Sequence, residues 1–225
     1  LDRWIPYIYF QPEILRYLEV VSLVGAKTSE LSPQLIVTES DLLASEKFVP
    51  KNPKPLVVLH PGATAVIRRW PVERFAAVGD ALVAAGADII VTGTAPEKEL
   101  VQGVVDRMKK EAINVCDRLS LNGLTGLLSR CKVVISNDSG PLHLAAAVGA
   151  ATVGIYWCGN LITAGGITRT FHRPIASWRL NCPVCDRDCI YNPCNHQVSF
   201  VADISVQEVI DTALDLLAMR SRIQI

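Results

Sequence analysis

The sequence has little of what marks a nucleic-acid-binding or membrane protein. Its 22 lysines and arginines are balanced by 22 aspartates and glutamates, so no net positive charge favours nucleic acid as a partner. No apolar run approaches the length of about 18 residues that a membrane-spanning helix requires, so at most a peripheral membrane association is expected. No G-x-G-x-x-G motif follows the first predicted strand, which argues against a nicotinamide-dependent dehydrogenase.

A secretory signal is also missing, because Leu1 is followed at once by the charged residues Asp2 and Arg3. We therefore expect a cytoplasmic location, where the reducing environment disfavours disulfides. Since the chain starts at leucine, we expect it to be a fragment of a longer protein.

The 225 residues, half of them hydrophobic, are enough for one complete core and part of a second. From residue 56 onward, short apolar runs alternate with segments of helical periodicity. The predicted strands cover 56–60, 88–92, 113–116, 133–135, 151–156 and 174–177, and the predicted helices cover 71–85, 94–110, 120–131, 205–219 and a segment that begins at Pro141. This alternation predicts an α/β fold, a Rossmann-like parallel sheet with helices on both faces.

Residues 1–50 are less regular. They contain a predicted helix at 12–25, a short strand at 35–38 and a short helix at 41–48, which is too little for an independent domain. We interpret 1–50 as the remnant of a preceding domain or a lead-in from it, and 51–225 as the Rossmann-like domain. The proline-rich stretch 50–55 is typical of a linker.

The segment 133–147 carries the strongest functional signal. A buried β-branched run leads into the turn-forming residues 137–140, and Pro141 suits the first turn of a helix. The free N–H groups and the positive dipole end of a helix start form a seat for phosphate, and Asp138 and His143 are placed to face it. Taken alone, the segment also fits an ordinary strand–turn–helix corner in which Asp138 or Ser139 only caps the helix.

A second polar loop is predicted to face the first. In a dinucleotide-type strand order the first and fourth strands are neighbours, which brings the loop 60–64 opposite the loop 137–140 across one crevice. The guanidinium groups of Arg68 and Arg69 beside this crevice are suited to a pyrophosphate, although two solvated arginines are the plainer alternative. Glu97, after the second strand, matches a capping box, which explains it at least as well as contact with a ribose.

The late part of the chain is rich in thiols. Cys182, Cys185, Cys189 and Cys194 lie within 13 residues, with His196 just beyond. Four thiolates can close a tetrahedral zinc site, which would be structural because no coordination position stays open. Their spacing is not one of the common zinc patterns, so reduced thiols or incidental disulfides remain alternatives. The other three cysteines are expected to be free thiols of the core.

Several of these motifs together point to a known family. The motifs are His60-Pro-Gly-Ala63, Arg68-Arg-Trp-Pro71, Asn137-Asp-Ser-Gly-Pro-Leu-His143 and the late cysteines. With them the chain resembles the ADP-heptose:lipopolysaccharide heptosyltransferases, which are the family 9 glycosyltransferases of GT-B fold. The resemblance covers about residue 50 to the end, with a weaker match in 12–40. It implies that the chain is mainly the C-terminal, donor-binding half of a two-domain enzyme of lipopolysaccharide core synthesis.

The resemblance also implies roles for single residues. Arg68 would neutralise the leaving diphosphate and is the one catalytic candidate, although the family often has lysine at this position. Ala63 and Thr64 would contact phosphate, Glu97 would lie near the ribose and Leu119 near the adenine. No metal and no cofactor beyond the nucleotide sugar is implied at this site. The residues expected to bind the donor, ADP-heptose, are Ala63, Thr64, Arg68, Glu97, Leu119, Asp138, Ser139, Gly140 and His143.

The catalytic base of the family is an aspartate of the N-terminal domain, and Asp2 lacks the matching context. We therefore expect an inverting glycosyltransferase whose isolated donor half transfers no sugar. The implied partners are the ADP-sugar and a lipid-linked saccharide acceptor at the inner face of the inner membrane. Two alternatives stay open: another GT-B-type enzyme, such as a sugar-nucleotide epimerase, and a non-catalytic module whose cysteine cluster holds zinc and a partner.

Overall fold

The computed structural model describes residues 2–49, 51 and 53–222. Its strands are β1 (Leu56–His60), β2 (Asp88–Val91), β3 (Ile113–Asn114), β4 (Val133–Asn137), β5 (Ala151–Trp157) and β6 (His172–Ser177). They form one parallel sheet in the order β3-β2-β1-β4-β5-β6. The predicted α/β, Rossmann-like fold is confirmed.

Helices cover both faces of this sheet. They are α1 (Glu13–Ser22), α2 (Glu39–Glu46), α3 (Val72–Ala84), α4 (Lys98–Arg107), α5 (Leu121–Arg130), α6 (Gly140–Ala147), α7 (Cys158–Ala164) and α8 (Val206–Arg222). Short 3₁₀ turns precede α3 and α4, at Val66–Arg68 and Ala95–Glu97. On one face, α3 and α8 pack around Phe75 and Leu216, and on the other, α5 and α6 bury Leu127 and Ala145.

The middle of the sheet is the most deeply buried part of the molecule. Val58 in β1 pairs with Ile90 of β2 on one side and with Val134 of β4 on the other. All three side chains are fully buried, because a parallel sheet between two helical layers hides both of its faces. The unbroken apolar runs of these strands follow from that position.

Residues 35–38, predicted to form a strand, do not form one. The Leu35 N–H donates to the carbonyl oxygen of Ala147 at 2.8 Å, while the side chain of Ile36 is exposed. Thr38 instead caps α2 in a reciprocal capping box with Asp41. The prediction was wrong because an apolar β-branched run becomes a strand only where a neighbouring strand can pair with it.

Two further elements differ from the prediction. Asn137, expected in the turn, instead ends β4 and pairs with Ile155 of β5, and Ser136, beyond the predicted strand 133–135, pairs with Gly154. Helix α7, which follows β5 directly, was not predicted. Its first residue, Cys158, is buried as expected for a core thiol.

The most extensive contact of the first 49 residues with the sheet unit is made by α2. This helix packs so closely on α5 that a Cβ atom on Gly126 would lie 2.0 Å from the carbonyl oxygen of Asp41. By contrast, Trp4 and Tyr7 are exposed in the segment before it. The domain boundary near residue 50 stays a prediction. Among the helices of the described residues, none has the length and apolar content to cross a membrane.

Candidate functional site

A crevice lined largely by polar residues lies at the carboxyl ends of β1 and β4. These two strands are neighbours at the point where the strand order reverses, which is where ligands of open α/β sheets bind. The crevice has a volume of about 340 Å³. Its lining is formed by the end of β1, the loops after β1, β2 and β4, the start of α6 and the end of α7. The lining residues are His60, Ala63, Thr64, Arg68, Thr94, Glu97, Asp138, Ser139, Gly140, Pro141, His143 and Ala164.

Asn137 joins the two loops. Its side-chain Nδ2 donates to the carbonyl oxygen of Pro61 at 2.8 Å, and its Oδ1 accepts from the backbone N–H of Trp70 at 3.0 Å. Asn137 is fully buried and has lost its hydrogen bonds to water. The bonds to Pro61 and Trp70 take their place, and without them burying the amide would cost free energy. The loop after β1 and the entry to α3 are therefore fixed relative to the end of β4.

Asp138 is a buried carboxylate with three side-chain partners. Only 2% of the residue is exposed. Oδ2 accepts from Arg68 Nη1 at 3.0 Å and also from the amide of Asn160, while Oδ1 lies 3.1 Å from His143 Nε2. Burying a carboxylate costs free energy unless charged or polar groups bond to it, as these three do. The same bonds orient the guanidinium of Arg68 and the imidazole of His143 at the crevice.

The start of α6 faces the same crevice with its N–H groups uncapped by a side chain. Ser139 occupies the N-cap position, but its hydroxyl lies 3.0 Å from that of Ser136 and makes no capping bond. The expectation that Ser139 or Asp138 merely caps the helix is therefore wrong for Ser139. Pro141 has no N–H, and the Leu142 N–H donates to the carbonyl oxygen of Ser139 at 3.1 Å. The start of α6 therefore offers an anion the N–H of Gly140 and a partial positive charge.

Glu97 closes the crevice from the side of β2. Its carboxylate accepts from the backbone N–H and the hydroxyl of Thr94, both at 2.8 Å, so the predicted capping box is present. It also packs directly on Gly62, where an added Cβ would lie 2.0 Å from Oε1 of Glu97. A larger residue at position 62 would therefore require the Glu97 side chain to move.

His60, at the end of β1, is buried and bonded to the Thr92 hydroxyl through Nδ1 at 3.1 Å. Burial lowers the pKa of His60 below its ordinary value of 6.5, against the opposing charge of Glu97. The imidazole is therefore neutral at neutral pH and adds no charge to the crevice floor.

Eight of the nine residues predicted to bind the donor line this crevice. The exception is Leu119, which is half-buried among the side chains that cover the other face of the sheet, with Cδ2 near Gly123 of α5. Arg69 follows Arg68 but does not line the crevice, because its Nε donates to the carbonyl oxygen of Ala63 at 2.8 Å.

Two residues of the site were not anticipated. Asn137 was assigned to a turn, and Asn160 lies on α7, for which the sequence holds no clear helical signal. The Oδ1 atom of Asn160 is buried and has no hydrogen-bond partner among the described residues. For Asn137, the one available sequence signal was the presence of an asparagine directly after a buried apolar run.

The thiol-rich segment lies apart from the crevice lining. The structure brings Cys182, Cys185, Cys194 and His196 together, with their ligand atoms within 4.8 Å of one another. Cys189 is not part of this group.

Cys131 lies in the core, far from this group in the sequence. Burial raises the pKa of its thiol to about 12, as expected of an inert core cysteine.

Comparison with known proteins gives consistent results. The model of glycosyltransferase family 9 (heptosyltransferase) matches residues 3–173. Lipopolysaccharide heptosyltransferase 2 of Salmonella typhimurium is 30% identical over 133 residues, which is 56% of this chain and 38% of that protein. Lipooligosaccharide heptosyltransferase 2 of Haemophilus influenzae is 28% identical over 108 residues, 46% of this chain and 31% of that protein. The matches thus span less than half the length of these relatives.

Two solved structures share the fold over most of the chain. A family 9 glycosyltransferase from Veillonella parvula superposes with a TM-score of 0.73 at 24% identity, over 90% of this chain and 59% of that one. ADP-heptose lipopolysaccharide heptosyltransferase II of E. coli superposes with a TM-score of 0.70 at 22% identity, over 87% and 56% of the two chains.

Proposed function

Since the chain belongs to glycosyltransferase family 9, we propose that it forms the donor-binding half of an inverting heptosyltransferase that uses ADP-heptose. The acceptor in this proposal is a lipid-linked saccharide of the lipopolysaccharide core, which would hold the whole enzyme at the cytoplasmic face of the inner membrane. The observation that carries the proposal is the buried carboxylate of Asp138, bonded to Arg68 and His143 beside the uncapped start of α6.

The chemistry of the crevice suits a diphosphate. A guanidinium has five N–H donors, so the bond to Asp138 leaves others for phosphate oxygens. The Asp138 charge is offset by Arg68 and therefore does not repel an anion at the helix start. Thr64 is exposed at the crevice and supplies a further hydroxyl.

In the proposed reaction, an acceptor hydroxyl attacks the anomeric carbon of the heptose from the face opposite ADP. The bond between that carbon and the diphosphate oxygen breaks, and ADP leaves with the bonding electrons, so the anomeric configuration inverts. Negative charge grows on the leaving diphosphate, where Arg68, the Gly140 N–H and the positive dipole end of α6 stabilise it. With these groups present, the transfer step requires no metal cofactor in this proposal.

The proton of the attacking hydroxyl must go to a base. In the proposed enzyme the base belongs to the acceptor-binding domain, and Asp2 of this chain is exposed and remote in sequence from the crevice residues. We therefore expect the isolated chain to bind ADP and to transfer no sugar. Glu97 is expected near the ribose. The contact of Leu119 with the adenine stays a prediction, since this residue lies outside the crevice lining.

Calorimetric titration of the chain with ADP, UDP and GDP tests the proposal. We expect ADP to bind in preference to the other two. Replacing Arg68 or Asp138 by alanine should weaken ADP binding by about tenfold or more, since a charge-assisted hydrogen bond contributes about 1.5–3 kcal/mol. Arg107→Ala is a matched control, because this arginine bonds to the carbonyl oxygen of Gly103 in its own helix, outside the crevice.

Other outcomes would contradict the proposal. Equal binding of all three nucleotides, or selective binding of UDP, would favour another GT-B-type enzyme over a heptosyltransferase. Unchanged ADP binding by the Arg68→Ala and Asp138→Ala variants would place the donor elsewhere. Sugar transfer by the isolated chain would refute the assignment of the base to a separate domain.

A further inference from the structure

The segment between β6 and α8 is long and almost without regular structure. Among residues 178–205, the strand-type pairing consists of one isolated antiparallel bridge, between Asn181 and Asp188. Irregular loops longer than about 12–15 residues are uncommon in compact domains unless something else holds them. The match to the family 9 model ends at residue 173, so that family model does not cover this segment.

Four side chains of this segment converge on one point. The Sγ atoms of Cys182, Cys185 and Cys194 and a ring nitrogen of His196 all lie within 4.8 Å of one another. Cys182 Sγ lies 3.7 Å from His196 Nδ1. In a tetrahedral zinc site, zinc–sulfur and zinc–nitrogen bonds of about 2.3 and 2.0–2.1 Å separate a sulfur from a nitrogen ligand by about 3.6 Å.

The backbone around the first two cysteines is shaped to present thiolates. The N–H of Val184 points at Cys182 Sγ at 3.4 Å, and the N–H of Asp186 donates to the carbonyl oxygen of Cys182 at 2.9 Å. Asp186 has a φ of +56°, so the chain reverses immediately after Cys185. The result is a tight turn with both sulfur atoms on one side and an N–H donor directed at one of them.

We propose that Cys182, Cys185, Cys194 and His196 bind one structural zinc ion. Three thiolates and one imidazole are a common zinc ligand set, and they leave no position open for catalysis. The mixture of soft sulfur and one nitrogen ligand in a tetrahedral arrangement favours zinc over magnesium or calcium, which require oxygen ligands.

The geometry selects His196 over Cys189 as the fourth ligand. Cys189 is buried against the core under α3 and α8, and its Sγ lies 3.3 Å from the carbonyl oxygen of Arg187. It approaches Cys194 Sγ at 3.7 Å but does not share the common point of the other ligand atoms. Four cysteines in sequence therefore suggest the wrong ligand set, and Cys189 serves as a core residue.

The zinc site would hold a segment whose two ends are anchored near the crevice. At one end, Trp157 Nε1 donates to the carbonyl oxygen of Arg179 at 2.6 Å. At the other end, the N–H of Phe200 donates to the carbonyl oxygen of Ile67 at 2.8 Å, immediately before Arg68. The rings of Trp157 and Phe200 pack edge to face at 5.4 Å. A metal that fixes 182–196 thereby supports the turn that carries Arg68.

The test is elemental analysis of the whole chain, purified under reducing conditions from zinc-supplemented medium. We expect about one zinc per chain, as a closed four-ligand site requires. Replacement with cobalt should give the ligand-field bands of a tetrahedral site and a thiolate-to-cobalt charge-transfer band. Zinc should be lost from Cys182→Ser, Cys185→Ser and Cys194→Ser and retained by Cys189→Ser, the matched control. His196→Cys should retain zinc and strengthen the charge-transfer band of its cobalt form.

The outcomes separate this proposal from its rivals. A chain with free thiols and no bound metal, a chain with iron in place of zinc, or a Cys189→Ser variant that loses zinc while His196→Ala keeps it would each overturn the assignment. Circular dichroism of each variant distinguishes loss of the ligand from loss of the fold, and His196→Cys keeps the test decisive if a serine variant fails to fold. None of these readouts depends on nucleotide binding, so the donor-site proposal can fail independently.

Discussion

The side-chain amide of Asn137 donates a 2.8 Å hydrogen bond to the carbonyl oxygen of Pro61, 76 residues earlier in the chain. This bond connects the carboxyl ends of β1 and β4, where the crevice lies. The same side chain accepts from the N–H of Trp70. Asn137 therefore fixes the geometry of the site while Asp138, the next residue, supplies its charge.

Replacing Asn137 by alanine should destabilise the whole chain. The substitution leaves the buried carbonyl of Pro61 and the buried N–H of Trp70 without partners, which costs about 2–3 kcal/mol in the free energy of unfolding. Urea unfolding followed by circular dichroism measures this change. Asn192→Ala, at an exposed position, is the control and should lie within about 0.5 kcal/mol of the unaltered protein. Equal stability of the two variants would contradict the role assigned to Asn137.

Two glycine-to-alanine substitutions should have opposite results. At Gly126 the new Cβ would lie 2.0 Å from a backbone oxygen of Asp41, so α2 must move away from α5, at a cost of about 2 kcal/mol or more. At Gly140 the new Cβ meets no atom within 4 Å, so stability should stay the same or rise by about 0.5 kcal/mol. Thermal unfolding of both variants gives the comparison. A Gly126→Ala variant as stable as Gly140→Ala would disprove the close helix contact.

Arg68→Lys should bind ADP with an affinity between those of the unaltered chain and Arg68→Ala. Lysine keeps the positive charge but lacks the planar set of donors that can reach Asp138 and a phosphate together. We expect affinity about three- to tenfold weaker than that of the unaltered chain, which corresponds to about 0.7–1.4 kcal/mol. Titration calorimetry at fixed salt concentration measures it. Full affinity in the lysine variant would mean that charge alone is required at this position.

Stability should fall in acid partly because of His60. Its pKa is lowered in the folded state by burial, so the unfolded chain binds the proton more readily. The free energy of unfolding is therefore fully retained above the ordinary pKa of 6.5 and decreases as the pH falls through and below that value.

The melting temperature of His60→Asn, compared with that of the unaltered chain between about pH 8 and about pH 5, tests this assignment. Asparagine keeps an amide nitrogen near the Thr92 hydroxyl and cannot gain the charge, so the acid loss should be smaller. Burial also lowers the pKa of His172, which leaves part of the loss in place. An identical acid profile for the two proteins would show that His60 does not titrate with folding.

The central strands and the crevice could be predicted because their physical causes are local. Apolar runs such as 56–60 end at polar loops, and their alternation with helices predicts a parallel sheet. A dinucleotide-type strand order then places β1 beside β4, as observed. Helix α7 could not be predicted, since its seven residues include Gly159 and the β-branched Ile162 and Thr163, which are poor helix formers. Its conformation depends on packing at the end of β5, and Asn160 was missed with it.

The remaining differences also arise from tertiary contacts. The spacing of the late cysteines indicated that they converge on one point. Only the fold shows that Cys189 lies outside this group and that His196 belongs to it. Resemblance places Leu119 near the adenine, which stays a prediction, and the structure packs its side chain toward α5, outside the crevice lining. In both cases the direction of a side chain, which a linear pattern does not contain, decides the outcome.

The sheet ends on β6, where Pro174 sits opposite Gly154 of β5. Proline has no N–H to offer, so the outer row of this edge strand lacks a continuous set of donors. The opposite edge, β3, is only two residues long. Both borders are thus poor templates for the addition of a strand from another molecule, which is how sheet-rich proteins start to aggregate. Trp4, Tyr7, Tyr9 and Phe10 are exposed, but neither border of the sheet favours the addition of a strand beside them.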